Sequence, residues 1–445
     1  MKDKMIKTVE IVWMLLAGNM YLLIQRNLIG RRGFLFLLGL STVWFLILHV
    51  ESVFSQFKSL RLHVLMGGER LLAIVWYSSL MQIVLTVLWL KLDVAEVDIL
   101  FWVNLVVFVL MESSFLCNGM IRVYCLSKQL TLMTRIGFWF VWLIPLVNIV
   151  FFIHMYRVTK EEIEIECEKI ELNHVRAENE LCKTKYPVLM VHGVFFRDVR
   201  FFNYWGRVPQ ELQRNGATIY YGEQQSAATV ADSARELSER IKQIVEETHC
   251  GKVNIIAHSK GGLDSRYAIS CLGMAPYVAS LTTINTPHYG CAFADYLLSK
   301  LPEKLCDFVA NRYNKTLKRL GDHNPDFMGA VRDLTVEGTA RINEVAKDSQ
   351  LVVYHSYGSM MRGTYSAPFP QSMTYLLSYH FSHDNDGLVD VKSAAWTPDY
   401  QVLQAPGRKG ISHGDMIDLY RKNIKGFDVR EFYVQLVKGL KEEGL

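Results

Sequence analysis

The chain has 445 residues, of which 50% are hydrophobic, and a formal net charge of +4. So apolar a composition argues against a purely soluble protein. Residues 1–155 hold 13 Lys plus Arg against 8 Asp plus Glu, so the remainder, with 35 against 36, is nearly neutral. We therefore expect no nucleic-acid partner, because no basic stripe or block marks a binding surface for phosphates.

The apolar excess lies in the first part of the chain, which predicts a polytopic transmembrane domain over residues 1–156. Five stretches lie near the roughly 20 residues that span a bilayer: Ile6–Ile24, Gly33–Val50, Leu71–Leu90, Val97–Cys117 and Ile136–Tyr156. Lys and Arg are more numerous in the loops on the N-terminal side, which favours a cytoplasmic N-terminus. With five spans, we expect a multi-pass protein of the cell membrane whose C-terminal part lies outside the cytoplasm.

Residues 157–185 are dense in Glu, Lys and Arg, with isolated apolar residues between them. This pattern predicts a charged juxtamembrane helix. The apolar spacing is too irregular to indicate a coiled coil, so the oligomeric state stays open.

From residue 186 onward, short apolar strands alternate with helical segments, which is typical of a mostly parallel sheet covered by helices on both faces. Strands are predicted at Val188–Val191, Ala217–Tyr221, Val253–Ala257, Val278–Ile284 and from Leu351. Helices are predicted over Val208–Arg214, Ala231–Glu247 and Val429–Leu440. Residues 186–445 are thus expected to form one α/β domain.

Two of these strands end in residues that carry chemistry. The first runs into His192 and Gly193, where a loop that binds an oxyanion is expected. The strand at Val253 stops at Ser259, in the pattern Ala257-His258-Ser259-Lys260-Gly261. This pattern predicts a nucleophile elbow, a strained strand-to-helix turn that exposes the serine hydroxyl, although alanine replaces the usual first glycine. An ordinary turn without a catalytic role is the alternative.

Taken with these motifs, residues 186–445 resemble the bacterial true lipases of the α/β-hydrolase fold, most closely the clostridial-type triacylglycerol lipases and esterases. The resembling stretches are Tyr186–Gly193, Tyr204–Pro209, Ala257–Tyr267, Thr282–His288, Asn385–Val389 and Ser412–Asp415. The resemblance implies a catalytic triad of Ser, Asp and His. Ser259 would be its nucleophile, and the backbone N–H groups of Val194 and Lys260 would form the oxyanion hole.

Residues 289–345 lack strand signals and carry apolar residues at roughly helical spacing. We expect a helical lid or cap here. A lid that opens on lipid aggregates and a static cap over a pocket for small esters remain equal alternatives.

The acid and the base should follow in the chain order Ser, Asp, His. Asp386 in Asn385-Asp386-Gly387 is favoured over Asp384 because it fits the register of the family's motif. His413 is the histidine that follows the acid, on a loop before the last helix. His192 and His258 are expected to pack or to form hydrogen bonds rather than to react.

No cofactor and no metal are predicted. Asp415 matches one calcium ligand of related lipases, but a partner aspartate is missing between Gly358 and Ser372, and a single carboxylate does not make a calcium site. The expected function is that of a membrane-anchored serine lipase or esterase that hydrolyses carboxylic esters, with lipids as its expected substrates. An acyltransferase or thioesterase with the same triad, or a catalytically silent receptor or scaffold, are the alternatives.

Overall fold

The computed structural model describes residues 2–50, 59–92, 97–140, 144–176, 178–194, 203–225, 227–300 and 302–445. The chain divides into two compact units, Met1–Ile170 and Glu171–Leu445. The boundary falls inside the charged segment that the sequence predicts at 157–185.

The first unit is helical throughout the described elements. Its helices are α1 (Lys2–Gly18), α2 (Met20–Gln25), α3 (Arg31–Val50), α4 (Leu60–Lys91), α5 (Ile99–Leu126), α6 (Leu132–Phe140) and α7 (Pro145–Arg176), the last of which continues beyond the unit. Three of them, α3, α4 and α5, are long and apolar enough to cross a membrane.

Two of the five predicted spans are not confirmed. The first is divided into α1 and α2 at Asn19, whose side-chain amide donates to the Leu15 carbonyl and to Gln82 Oε1, both at 2.7 Å. The fifth is divided between α6 and α7, and residues 141–143 within it lie outside the described residues. The structure therefore supports three long apolar helices in this unit rather than five.

Helices α4 and α5 approach each other closely where two glycines face each other. A Cβ atom at Gly68 would lie 2.9 Å from Arg122 Cβ, and one at Gly119 would lie 2.9 Å from the Leu72 side chain. Small residues at such a contact let two apolar helices pack backbone to backbone, as is common between membrane helices.

The second unit is built on a parallel sheet of six strands. They are β1 (Val188–Val191), β2 (Ile219–Tyr221), β3 (Val253–His258), β4 (Val278–Ile284), β5 (Val353–Ser359) and β6 (Gln401–Leu403). All five strand pairs are parallel, and the spatial order is β2-β1-β3-β4-β5-β6. The predicted α/β architecture is confirmed for this unit.

Helices cover both faces of the sheet. They are α8 (Val208–Arg214), α9 (Val230–Thr248), α10 (Lys260–Cys271), α11 (Ala292–Lys300), α12 (Glu303–Leu320), α13 (Phe327–Asp333), α14 (Val336–Val345), α15 (Gln371–Tyr379), α16 (Val391–Ala394) and α17 (Val429–Glu442). Alternate strand residues divide between two cores: Leu189 and Ile255 pack with α9, whereas Met190 and Ile256 pack with α8 and α17. This explains why β1, β3 and β4 are buried along their whole length.

The order of the strands reverses between β1 and β3. In open parallel sheets, the crevice at the carboxyl ends of the two strands flanking such a reversal is the usual place for a ligand. The two segments that the sequence singles out, Gly193 after β1 and Ser259 after β3, both lie at this point. Between β4 and β5, the described elements of residues 289–345 are helices α11–α14, and their role as a lid remains a prediction.

Candidate active site

Ser259 occupies a strained turn between β3 and α10. Its φ of 54° and ψ of −130° lie in a region that residues with a side chain rarely adopt. Its own N–H continues the pairing with β4 by donating to the Ile284 carbonyl at 2.9 Å. Because this anchor fixes the backbone, the serine is held at the end of the sheet in the geometry expected of a nucleophile elbow.

The two glycines after the elbow are required by close packing. A Cβ at Gly261 would lie 2.5 Å from the His192 carbonyl oxygen, and one at Gly262 would overlap the Thr286 side chain. The start of α10 can therefore approach the ends of β1 and β4 only with glycine at these positions.

The loop after β1 touches the elbow directly. A Cβ at Gly193 would lie 2.8 Å from Ser259 Cβ, so the backbone of the loop lies against the serine. Among the described residues, no backbone carbonyl accepts a hydrogen bond from the N–H of Val194 or of Lys260. Two N–H groups next to the serine and without a backbone acceptor are what an oxyanion hole requires.

The Lys260 side chain has a structural partner away from this backbone site. Its Nζ atom lies 2.7 Å from Asp264 Oδ1 and 2.9 Å from Ser233 Oγ, and all three side chains are buried. Burial raises the pKa of the Asp264 carboxyl to about 7, although the Lys260 ammonium opposes this shift. Lys260 can therefore serve the site through its backbone while its side chain holds α10 against α9.

Asp386 is held by a tight turn before it meets the histidine. Its Oδ1 atom accepts the N–H groups of Leu388 and Val389 at 2.9 and 2.8 Å, and Gly387 adopts the positive φ of 99° that the turn needs. Its Oδ2 atom lies 2.7 Å from His413 Nδ1. Asp384 is exposed at the surface, so the structure brings Asp386 and not Asp384 to the imidazole.

His413 lies beside the elbow but does not touch the serine hydroxyl by a hydrogen bond. Its ring centroid is 4.4 Å from that of His258, the residue that precedes Ser259. Within the described ranges, no hydrogen bond joins the His413 imidazole to Ser259 Oγ. Catalytic hydrogen bonds are often long without substrate, so the arrangement is compatible with proton transfer once a substrate is bound.

The loop that carries His413 is braced by its neighbours. Ser412 donates its N–H and its hydroxyl to Asp415 Oδ2 at 3.0 and 2.6 Å. The carboxylate of Asp415 is thus used within the turn. The structure describes no group of three or more His, Cys, Asp or Glu side chains in its visible ranges that could hold a metal ion.

A buried tyrosine and histidine support the two sides of the site. The Tyr204 hydroxyl accepts the Gly193 N–H at 3.0 Å and hydrogen-bonds His258 Nδ1 at 2.7 Å. Burial, and then the charge on His413, hold the pKa of His258 well below its usual value. The His258 ring therefore stays neutral and does not repel a positive charge that forms on His413.

Gln371, at the start of α15, joins the acid loop to the base loop. Its Nε2 atom donates to the Asp386 carbonyl at 3.2 Å, and its Oε1 atom accepts the Tyr420 hydroxyl at 2.8 Å and the Gly414 N–H at 3.4 Å. Sequence reasoning missed this residue because no motif surrounds it. Tyr204 lies in the stretch Tyr204–Pro209 that resembles the lipases, and this resemblance is the sequence signal that could identify it.

Comparison with known proteins agrees with this geometry. Residues 188–317 match the family described as "Putative serine esterase (DUF676)". The triacylglycerol lipase of Pseudarthrobacter phenanthrenivorans is 37% identical over 174 residues, which cover 36% of this chain and 53% of that lipase. The triacylglycerol lipase of Vibrio cholerae is 28% identical over 238 residues, which cover 48% of this chain and 76% of that lipase. The chain thus spans about half the length of the first of these relatives.

Among solved structures, the superposition with the Staphylococcus hyicus lipase covers 59% of this chain and 97% of that lipase. The sequence identity is 19% and the TM-score is 0.45. The parallel sheet and the elbow, rather than this superposition, identify the fold. Sequence similarity to lipases and to the serine esterase family, together with that sheet, confirms the predicted resemblance: the chain carries a parallel-sheet α/β domain similar to the lipases and esterases of the α/β-hydrolase fold, preceded by apolar helices.

Proposed function

We propose that this protein is a membrane-anchored serine hydrolase that cleaves carboxylic esters of lipids through an acyl-enzyme on Ser259. The observation that carries the proposal is the position of Ser259, in a strained turn against Gly193, next to the hydrogen-bonded pair of His413 and Asp386. The triacylglycerol lipase relatives favour an ester of a fatty acid as the substrate.

In the proposed reaction, Ser259 Oγ attacks the ester carbonyl carbon while His413 Nε2 takes the hydroxyl proton. Asp386 keeps the proton on His413 Nδ1 and stabilises the imidazolium that forms. The N–H groups of Val194 and Lys260 would stabilise the negative charge on the carbonyl oxygen. His413 then protonates the departing alcohol, and a water molecule activated by the same imidazole releases the acid from Ser259.

The same acyl-enzyme supports two related reactions. An alcohol in place of water gives acyl transfer, and a thioester in place of an ester gives thioesterase activity. A catalytically silent receptor or scaffold is the alternative from another class. The strained backbone at Ser259 argues against it, because such strain costs stability and persists where the site uses it.

Labelling with a fluorophosphonate tests the nucleophile. We expect the wild-type chain to be labelled and to hydrolyse p-nitrophenyl esters, and Ser259→Ala to lose both. Ser270→Ala is the matched control, because this serine lies on α10, the helix that follows Ser259, and its hydroxyl donates to the Lys347 carbonyl. Labelling of Ser259→Ala at the wild-type rate would reject the proposal. Esters of increasing acyl length, with water or an alcohol as acceptor, would separate lipase, esterase and transferase activities.

We also propose that the first unit anchors the enzyme as a multi-pass protein of the cell membrane, with residues 186–445 outside the cytoplasm. Helices α3, α4 and α5 support the anchor. The orientation follows from the sequence prediction of five spans with an excess of Lys and Arg on the N-terminal side. Three of those five spans match long apolar helices in the described residues. Protease added to intact cells should then remove the hydrolase domain. If digestion occurs only after the membrane is opened, the domain faces the cytoplasm and the orientation is wrong.

A further inference from the structure

Helix α12, Glu303–Leu320, has one face against the domain and one face exposed. Ala310 and Leu317 are buried, 6% and 4% exposed. At 100° per residue these two lie within about 20° of each other on the helix. The opposite face is therefore available to a partner.

The exposed face is strongly basic. Its cationic side chains are Lys304, Arg312, Lys315, Lys318 and Arg319, all of which are exposed. At 100° per residue they fall within an arc of about 120°, whose centre lies about 150° around the helix from the buried residues. Among the side chains of this helix that the structure describes, Asp307 is the acidic one. In a domain whose sequence is otherwise nearly neutral, these residues concentrate positive charge on one surface.

These five cations have no ion-pair partner among the described residues. Other helices of the chain pair their exposed cations one turn away, as Lys438 does with Glu442 and Arg341 with Glu337. Helix α12 has leucine, phenylalanine, asparagine, threonine or another cation at most of the corresponding positions. The described residues thus do not neutralise the charge of this helix, which is available to an external anionic partner.

An aromatic side chain lies within the basic arc. Phe308 is 62% exposed and projects about 20° from Lys315 around the helix, and Leu305 beside it is 44% exposed. Exposed aromatic and aliphatic side chains among Lys and Arg are typical of helices that lie in the surface of a bilayer, where the cations contact headgroups and the apolar groups enter the acyl boundary.

We propose that α12 is a docking surface for an anionic lipid bilayer. The charges complement phosphate-bearing headgroups, Phe308 and Leu305 complement the acyl region, and three helices of the same chain are long and apolar enough to place the protein at a membrane. A nucleic acid would also attract the charges. A lone exposed phenylalanine does not provide the series of stacking surfaces that single-stranded nucleic acid uses, so the membrane is favoured.

Hydrogen exchange of the full-length chain in nanodiscs tests this docking without any need for catalysis. Nanodiscs of phosphatidylcholine alone are compared with nanodiscs that also contain phosphatidylglycerol. Peptides that cover α12 should exchange at least about fivefold more slowly in the anionic nanodiscs, and salt near 0.5 M should remove most of this protection, because surface charges are screened. Ser259→Ala should show the same protection, so failure of the docking is distinguishable from failure of the proposed hydrolysis.

Charge variants identify the residues responsible. The triple variant Lys304→Gln, Arg312→Gln and Lys315→Gln should lose the protection in anionic nanodiscs. Phe308→Ala should keep the dependence on phosphatidylglycerol but with weaker protection, since the anchoring ring is lost.

The matched control removes three exposed charges elsewhere in the domain, by Lys242→Gln, Arg408→Gln and Lys425→Gln, and should dock as the wild type does. Equal exchange in the two kinds of nanodisc would overturn the proposal. So would equal protection by single-stranded DNA in neutral nanodiscs, which would make α12 a general polyanion site.

Discussion

Asp386 and His413 are joined twice, once through their side chains and once through their backbones. His413 Nδ1 lies 2.7 Å from Asp386 Oδ2, and the His413 N–H donates to the Asp386 carbonyl at 2.8 Å. The second bond fixes the two loops relative to each other. The carboxylate therefore meets the imidazole in one orientation, which keeps the proton on Nδ1 and leaves Nε2 to act as the base.

Replacing Asp386 by Asn should lower kcat for ester hydrolysis by about 10³- to 10⁴-fold, because the amide can hold the wrong tautomer of the imidazole. Fluorophosphonate labelling should slow in parallel, since it uses the same activated serine. Asp384→Asn is the matched control and should retain wild-type kinetics, because Asp384 is exposed and two residues away. If Asp384→Asn lost activity and Asp386→Asn kept it, the assignment of the acid would be wrong.

Several elements of the second unit were predicted to within one residue from sequence. Strand β4 was placed at its observed bounds and β3 to within one residue, because each is rich in Val, Ile, Leu or Thr and is bounded by turn residues. Helix α9 was placed to within a residue at each end by its apolar spacing. These elements carry a local pattern strong enough to identify them without tertiary information.

Other elements depend on tertiary context. Strand β6 has three residues at the edge of the sheet, and β5 contains His355, Ser356 and Gly358, so neither shows a continuous apolar run. The break at Asn19 was missed because its hydrogen bond to Gln82 joins residues 63 positions apart. The link that Gln371 makes between the acid and base loops likewise has no local signature.

Gln371→Met should lower kcat by about tenfold while KM changes little, because the side chain positions the Asp386 and Gly414 backbones and is not expected to touch substrate. Steady-state kinetics with a soluble ester would measure this. Ser372→Ala, at the next position of the same helix, should leave both constants unchanged. An increase in KM alone would indicate that Gln371 shapes the substrate pocket instead.

The buried pair of Lys260 and Asp264 predicts a dependence of stability on pH. Burial raises the pKa of Asp264 from its usual 3.8 to about 7 in the folded chain. A carboxyl with a raised folded pKa binds its proton more tightly when folded, so its contribution to stability is greatest at low pH and declines as pH rises from about 4 to about 7. The Tm of the wild type should therefore fall relative to that of Asp264→Asn across this range.

Thermal unfolding of both chains in detergent, at steps of pH, would measure the difference. Glu337→Asn serves as the control, because the exposed pair of Glu337 and Arg341 should add little to stability at any pH. If the Tm of the wild type instead rose relative to Asp264→Asn, the Lys260 ammonium would dominate over burial and the pKa of Asp264 would lie below its ordinary value.

The contact between Gly193 and Ser259 predicts that the oxyanion loop tolerates no side chain at residue 193. An added methyl group would lie 2.8 Å from Ser259 Cβ and 2.9 Å from the Tyr204 hydroxyl, so the loop would have to move and carry the Val194 N–H with it. Loss of one oxyanion donor costs about 10²- to 10³-fold in kcat, and Gly193→Ala should show a loss of this size.

Gly439→Ala is the control, because a Cβ there meets nothing within 4 Å and the position lies inside α17. That variant should keep full activity and gain about 0.5–1 kcal/mol of stability, since alanine loses less backbone entropy than glycine on forming a helix. Equal activity in the two variants would mean that the loop after β1 does not form the oxyanion hole.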